Sequence, residues 1–228
     1  MKRALALLAI VLFAPAAHAQ SLFPRDVRDG VSIEQRIGAQ IPLDLQFVDE
    51  AGRNVTLRNY FGDKPVILTP VYYSCPMLCN LVLDGLVKTA SNLRFDIGTE
   101  FEVVSVSFDP RETAEMAASK KEIYTRRYGR EGVTGGWHFL TGDALPIRQL
   151  MDSVGFRYAW DSNLNQYAHA ATIIVLTPEG KVARYFYGFE YDSRDLRLGL
   201  VEASDSEIGS VVDQALLLCY SYDPASGK

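Results

Sequence analysis

Two cysteines, Cys75 and Cys79, stand four residues apart in Tyr73-Ser74-Cys75-Pro76-Met77-Leu78-Cys79. Four residues of helix rise ~6 Å, so side chains at i and i+4 leave a helix on the same side. That separation suits a disulfide, and it also lets two thiolates reach one metal ion. A cysteine at or just before a helix start gains from free N–H groups and the macrodipole, which favour the thiolate. Pro76 suits the first helical position, where its missing N–H wastes no donor. The pair is a redox dithiol, a metal clamp, or both. The plainer alternative is two small buried hydrophobes on a helix.

A metal needs a third ligand. Beyond the N-terminal segment the chain offers only His138 and His169. His138, in Trp137-His138-Phe139-Leu140, reads as mid-strand and structural or surface-lying. His169, in Tyr167-Ala168-His169-Ala170-Ala171, reads as a loop residue just before the apolar strand Thr172–Thr177. In open α/β sheets, sites form at loops beside strand ends. A lone loop histidine is ordinarily solvated; next to a cysteine pair it becomes a ligand candidate. Two thiolates with one imidazole make a trigonal soft set suited to copper, whereas zinc normally takes a fourth ligand.

The elements that must position these residues follow from periodicity. Residues 43–48 alternate as a strand, with a turn over 49–53 and a short return strand over 55–57. Residues 65–73 read as a buried strand despite Pro70. After Pro76, Leu78, Leu81, Val82, Leu86, Ala90 and Leu93 keep helical spacing. Residues 101–108 form a central strand. Asp109, Pro110 and Glu112 then look like the N-cap, N1 and N3 of a helix running to Tyr128 and stopped by Gly129. Residues 137–140 form a short strand, and Asp143 opens a helix with Ile147, Leu150, Met151 and Val154 inward, closed by Gly155. Residues 172–177 and 182–187 form a hairpin around a turn over 178–181. Residues 195–203 and 207–219 read as helices. This alternation predicts an α/β fold, one sheet covered by helices on both faces. No linker, internal repeat or low-complexity segment divides it.

Composition narrows the function classes. The 228 residues carry a formal net charge of −5, with 22% charged and 48% hydrophobic residues. Those are globular values, and with no basic cluster they exclude a nucleic-acid binder. Gly132, Gly135 and Gly136 lack the spacing of a phosphate-binding loop. Lys2 and Arg3, the apolar run over 4–14, and Ala17-His18-Ala19 predict a signal peptide over 1–19, cleaved after Ala19; the run is shorter than the ~20 residues a membrane span needs. Export means thiols drift to disulfides unless kept reduced or metal-bound. The three cysteines, Cys75, Cys79 and Cys219, are too few for a disulfide scaffold, and their odd number leaves one over.

The chain resembles the Sco/SenC family of copper-binding thioredoxin-fold proteins that assist cytochrome c oxidase assembly. The resemblance is carried by Tyr73 to Cys79, Ser107-Phe108-Asp109-Pro110, Trp137-His138-Phe139-Leu140-Thr141-Gly142 and the segment from His169 to Gly180, in family order over roughly residues 40–190. It implies a thioredoxin-like fold with a central mixed sheet, and copper as Cu(I) or Cu(II) held by Cys75, Cys79 and His169. That histidine stands where many thioredoxin-fold proteins place a cis-proline facing the dithiol. The implied division is a signal peptide over 1–19, a lead-in over 20–40, the copper-binding domain over 41–204 and a C-terminal helix and tail over 205–228, with Cys219 a free thiol. The implied function is an exported, periplasmic copper chaperone. Its partners are the copper-bearing subunit of the oxidase and other periplasmic copper chaperones or thiol reductants. The alternative is a thiol–disulfide reductase with Cys75 and Cys79 as its catalytic dithiol; a peroxidase-like enzyme ranks lower, since no base besides His169 is in sight.

Overall fold

The centre of the fold is built from stretches that are apolar on both sides of the chain. The computed structural model describes residues 30–205. The expected signal peptide, the 20–29 part of the lead-in, the helix expected over 207–219 and Cys219 itself lie outside the described residues. The elements in order are β1 (Ser32–Ile33), β2 (Gln46–Val48), β3 (Asn54–Thr56), a 3-10 turn (Leu57–Tyr60), β4 (Val66–Val71), α1 (Leu78–Ala90), β5 (Glu102–Ser107), α2 (Ala114–Tyr128), a single turn α3 (Val133–Gly136) and β6 (Trp137–Leu140). They continue with α4 (Ala144–Ser153), β7 (Phe156–Asp161), β8 (Gln166–His169), β9 (Thr172–Leu176), β10 (Val182–Tyr187) and α5 (Ser193–Ser204).

β4 and β9 are buried at every position, and β5 at every position but its first. Successive strand residues face opposite sides of a sheet, so continuous burial means cover on both faces. These strands are the middle of a five-stranded sheet of order β10-β9-β4-β5-β6. β4, β5 and β6 run parallel, while β9 is antiparallel to β4 and to β10. The sheet is therefore mixed and flanked by helices. α1 packs on β4 between α2 and α5; α2 covers β6, and α5 covers β9 and β10. Pro70 is tolerated because β9 pairs β4 only over Val66–Leu68, so no ladder bond on that side is lost at Pro70.

The strands over Trp137–Leu140 and Val182–Tyr187, the stop at Gly129 (φ 70°) and the inward face of α4 lie where the sequence places them. Two helix starts differ. α1 begins at Leu78 with Met77 as N-cap, so Pro76 is not its first residue, and Cys75 lies outside the helix. A residue before proline is pushed out of the helical region, which favours a start after Cys75. α2 begins at Ala114 with Thr113 as N-cap, because Asp109 and Glu112 are engaged elsewhere. The Asp109 carboxylate accepts from the Arg111 backbone N–H at 3.0 Å and from its guanidinium, closing a turn ahead of the helix.

Sequence reading also left out the β7–β8 hairpin, which joins β1 in a three-stranded sheet. Its signal was there: Phe156, Tyr158 and Trp160 alternate with Arg157, Ala159 and Asp161, and Asn165 at φ 51° closes the turn. Residues 30–40 stay with the fold, since Ser32–Ile33 pairs with β7 and Gln40 bridges Lys181.

One glycine fits α1 against the segment that joins β10 to α5. A Cβ on Gly85 would lie 1.8 Å from the Phe189 carbonyl oxygen and 2.8 Å from its carbon, backbone atoms that cannot rotate away. Gly85→Ala is expected to lower stability by about 1–3 kcal/mol, and the melting temperature by roughly 2–4 °C per kcal/mol. An unchanged thermal melt would show that α1 does not approach the Phe189 segment.

Candidate metal centre

Three donor atoms converge although their residues are far apart in the chain. Tyr72 to Met77 form a loop between β4 and α1, with Cys75 in the loop and Cys79 in the first turn of the helix. His169 is the last residue of β8, opposite Tyr158 of β7; it closes a strand rather than lying in a loop. One donor atom from each of Cys75, Cys79 and His169 lies within 4.8 Å of the others. No other such group of three occurs among the described residues. His138 stands apart from it on β6, facing Glu102 at 3.5 Å with its ring 4.3 Å from that of Tyr60. That is the structural role its mid-strand position suggests.

The cysteine loop is held from below by Glu112, 8% exposed. The Tyr73 and Ser74 backbone N–H groups donate to its two carboxylate oxygens, and the Ser107 hydroxyl donates to one of them, each at 2.6 Å. The Tyr73 hydroxyl donates to the Leu140 carbonyl at 2.7 Å, and Asn80 Nδ2 to the Cys75 carbonyl at 3.1 Å. Local sequence gave Glu112 no such role, because its partners lie 38 and 39 residues away. Glu112→Gln leaves two N–H donors competing for one acceptor. It is expected to cost about 1–3 kcal/mol and to raise amide exchange first at Tyr73 and Ser74. Unchanged protection there would contradict this anchoring.

Hydrogen bonds also reach the sulfurs. The Cys79 N–H donates to Cys75 Sγ and the Tyr72 N–H to Cys79 Sγ, both at 3.3 Å. The Cys75 thiol is held well below the ordinary range, first by the Cys79 side chain, which outweighs its burial, and then by backbone N–H groups that follow it in the chain. Cys79 is pushed well above that range by burial, reinforced by the Cys75 thiolate. Of the two thiols, Cys75 is therefore the one held toward the thiolate form.

The His169 ring is oriented for ligation. Its Nδ1 lies 2.9 Å from the Ala170 carbonyl oxygen, which can only accept. Nδ1 therefore carries the proton in the neutral ring, and the Nε2 lone pair faces Cys79 Sγ at 3.3 Å. Phe108 and Tyr72 hold the imidazole edge-on, with ring centroids 5.2 and 5.8 Å away.

The donor set fits a soft or borderline ion. Bonds of ~2.0–2.3 Å to nitrogen and sulfur place two donors on one ion at most about 4.6 Å apart, so the observed separations need only small closure. Two thiolates and an imidazole favour copper over hard cations. Both cysteines are free thiols, so the same pair can also close as a disulfide.

The SCO1/SenC family profile matches residues 34–198. An Aquifex aeolicus crystal structure, described as a candidate electron transfer protein, aligns with a TM-score of 0.67 at 28% identity, over 78% of this chain and 98% of that one. Arabidopsis thaliana ScoI with copper bound aligns with a TM-score of 0.57 at 21% identity, over 75% and 99%. BsSco, described as a member of the Sco family of cytochrome c oxidase assembly proteins with a disulfide switch, aligns with a TM-score of 0.59 at 18% identity, over 75% and 97%. These likenesses establish the expected fold. No curated protein sequence matches the chain.

Proposed function

The chain belongs to the SCO1/SenC family, and from that membership we propose that it is an exported, periplasmic copper chaperone. It holds one copper ion with Cys75, Cys79 and His169 and delivers it to the copper centre of a respiratory cytochrome c oxidase. The observation that carries this reading is the convergence of two thiol sulfurs and one imidazole nitrogen within 4.8 Å. Two thiolates satisfy Cu(I), the imidazole adds affinity for Cu(II), and a three-ligand site can release its cargo by ligand exchange. The Arabidopsis neighbour is described with copper bound, and BsSco as an oxidase assembly protein; both support the assignment. Export is supported by Lys2, Arg3, the apolar run and Ala17-His18-Ala19. Among the described residues no helix is long and apolar enough to cross a membrane.

A second reading, a thiol–disulfide reductase acting on the oxidase's own cysteines, is favoured by the Cys75 thiolate, stabilised as an attacking group, beside Cys79 as the resolving thiol. Mixing the copper-loaded protein with the metal-free copper domain of an oxidase separates the two. The chaperone reading expects the copper-centre absorption to appear in the acceptor without added metal. Reduction of an acceptor disulfide without metal transfer would favour the reductase.

A further inference from the structure

Five side chains among the described residues contain sulfur, and three of them are buried. Cys75, Cys79 and Met151 are 6%, 2% and 1% exposed, and Met116 is half-buried. Met77 is 65% exposed and stands between the two cysteines. Two residues after Cys75 and two before Cys79, at the N-cap of the helix that carries Cys79, its backbone is tied to both ligands. Three rotatable bonds then let the thioether swing between solvent and the metal-facing side of the loop. The side chain is left mostly in water at the N-cap of α1, free to reorient.

Buried thiolates slow handover, because a partner's ligand meets little exposed sulfur around the ion. A thioether is neutral, soft and selective for Cu(I), binds more weakly than thiolate, and does not titrate. We propose that Met77 is a transient Cu(I) ligand at the mouth of the site, through which copper passes between the Cys75–Cys79 pair and a soft donor on a partner protein. The inference rests on the copper reading above. Cu(I) keeps its charge throughout. The thiolates let go as the thioether lends a lone pair, the partner's donor then displaces the thioether, and Cys79, freed from the metal, takes up a proton from solvent while Cys75 stays a thiolate.

Met77→Leu keeps the size and apolarity of the side chain and removes the donor. The reduced, Cu(I)-loaded protein is mixed rapidly with excess bicinchoninate, and the release rate is read from the coloured chelate. Equilibrium competition with the same chelator gives the affinity, and circular dichroism checks the fold. We expect release to slow about tenfold while affinity stays within about threefold of wild type, with partial recovery of the rate in Met77→His. Equal release rates for wild type and Met77→Leu would overturn the inference and leave the copper site standing. A tenfold loss of affinity would also overturn it, by making Met77 a resident ligand. A wild-type protein that binds no Cu(I) would remove the copper reading and this inference together.

Discussion

Cys75→Ser and Cys79→Ser are each expected to abolish tight copper binding while leaving the fold intact. Losing one of two soft donors leaves a thiolate and an imidazole against water and buffer, a loss of about a thousandfold or more, roughly 4 kcal/mol. The fold should survive because serine keeps an acceptor at each position. The Cys79 N–H now bonds to Cys75 Sγ and the Tyr72 N–H to Cys79 Sγ, and a hydroxyl oxygen can accept either bond. The check is a chelator competition for Cu(I) with a thermal melt alongside. Undiminished affinity in either folded variant would remove that cysteine from the site.

His169→Ala is expected to split the two oxidation states. Two thiolates alone can hold Cu(I) in near-linear geometry, so much of the Cu(I) binding should remain. Cu(II) depends more on the imidazole, so most Cu(II) binding and the intense thiolate-to-copper absorption should be lost. The Cys75–Cys79 disulfide does not need His169 chemically. Its reduction potential should move by only tens of millivolts, where about 30 mV corresponds to about 1.4 kcal/mol. In cells the chaperone reading expects this variant to fail to support oxidase activity, and the reductase reading expects it largely to succeed. Wild-type Cu(II) binding in the variant would show that His169 is not a ligand. Binding that persists only while His138 is present would show that the other histidine serves.

The site was legible largely because its chemistry is sparse. With three cysteines and, beyond the N-terminal segment, two histidines, the i, i+4 pair at a strand-to-helix junction and the histidine ahead of an apolar strand stood out. Strands with strong patterns, such as Val182–Tyr187, and helices with a glycine stop, such as the one ending before Gly129, were readable for the same local reasons. The misplaced start of α2 has another cause. Asp109 and Glu112 have the right types for a helix cap, but Asp109 closes a turn on Arg111 and Glu112 reaches back to Tyr73 and Ser74. A long-range bond of that kind leaves no trace in local periodicity. The β7–β8 hairpin was missed although Phe156, Tyr158 and Trp160 alternate, and with it the reason His169 is held where it is. A strand ending at His169, paired through Tyr158, fixes the imidazole more firmly than the loop that sequence suggested.

The central claim is that Cys75, Cys79 and His169 together hold one copper ion. Its most direct test is an anaerobic titration of the reduced, purified protein with copper and zinc in competition. The account predicts one copper per chain, bound in preference to zinc, with Cu(II) giving thiolate-to-copper absorption, because two thiolates and one imidazole suit copper while zinc lacks its fourth ligand. Zinc displacing copper at equal concentration, or saturation with no copper retained against the chelator, would contradict it.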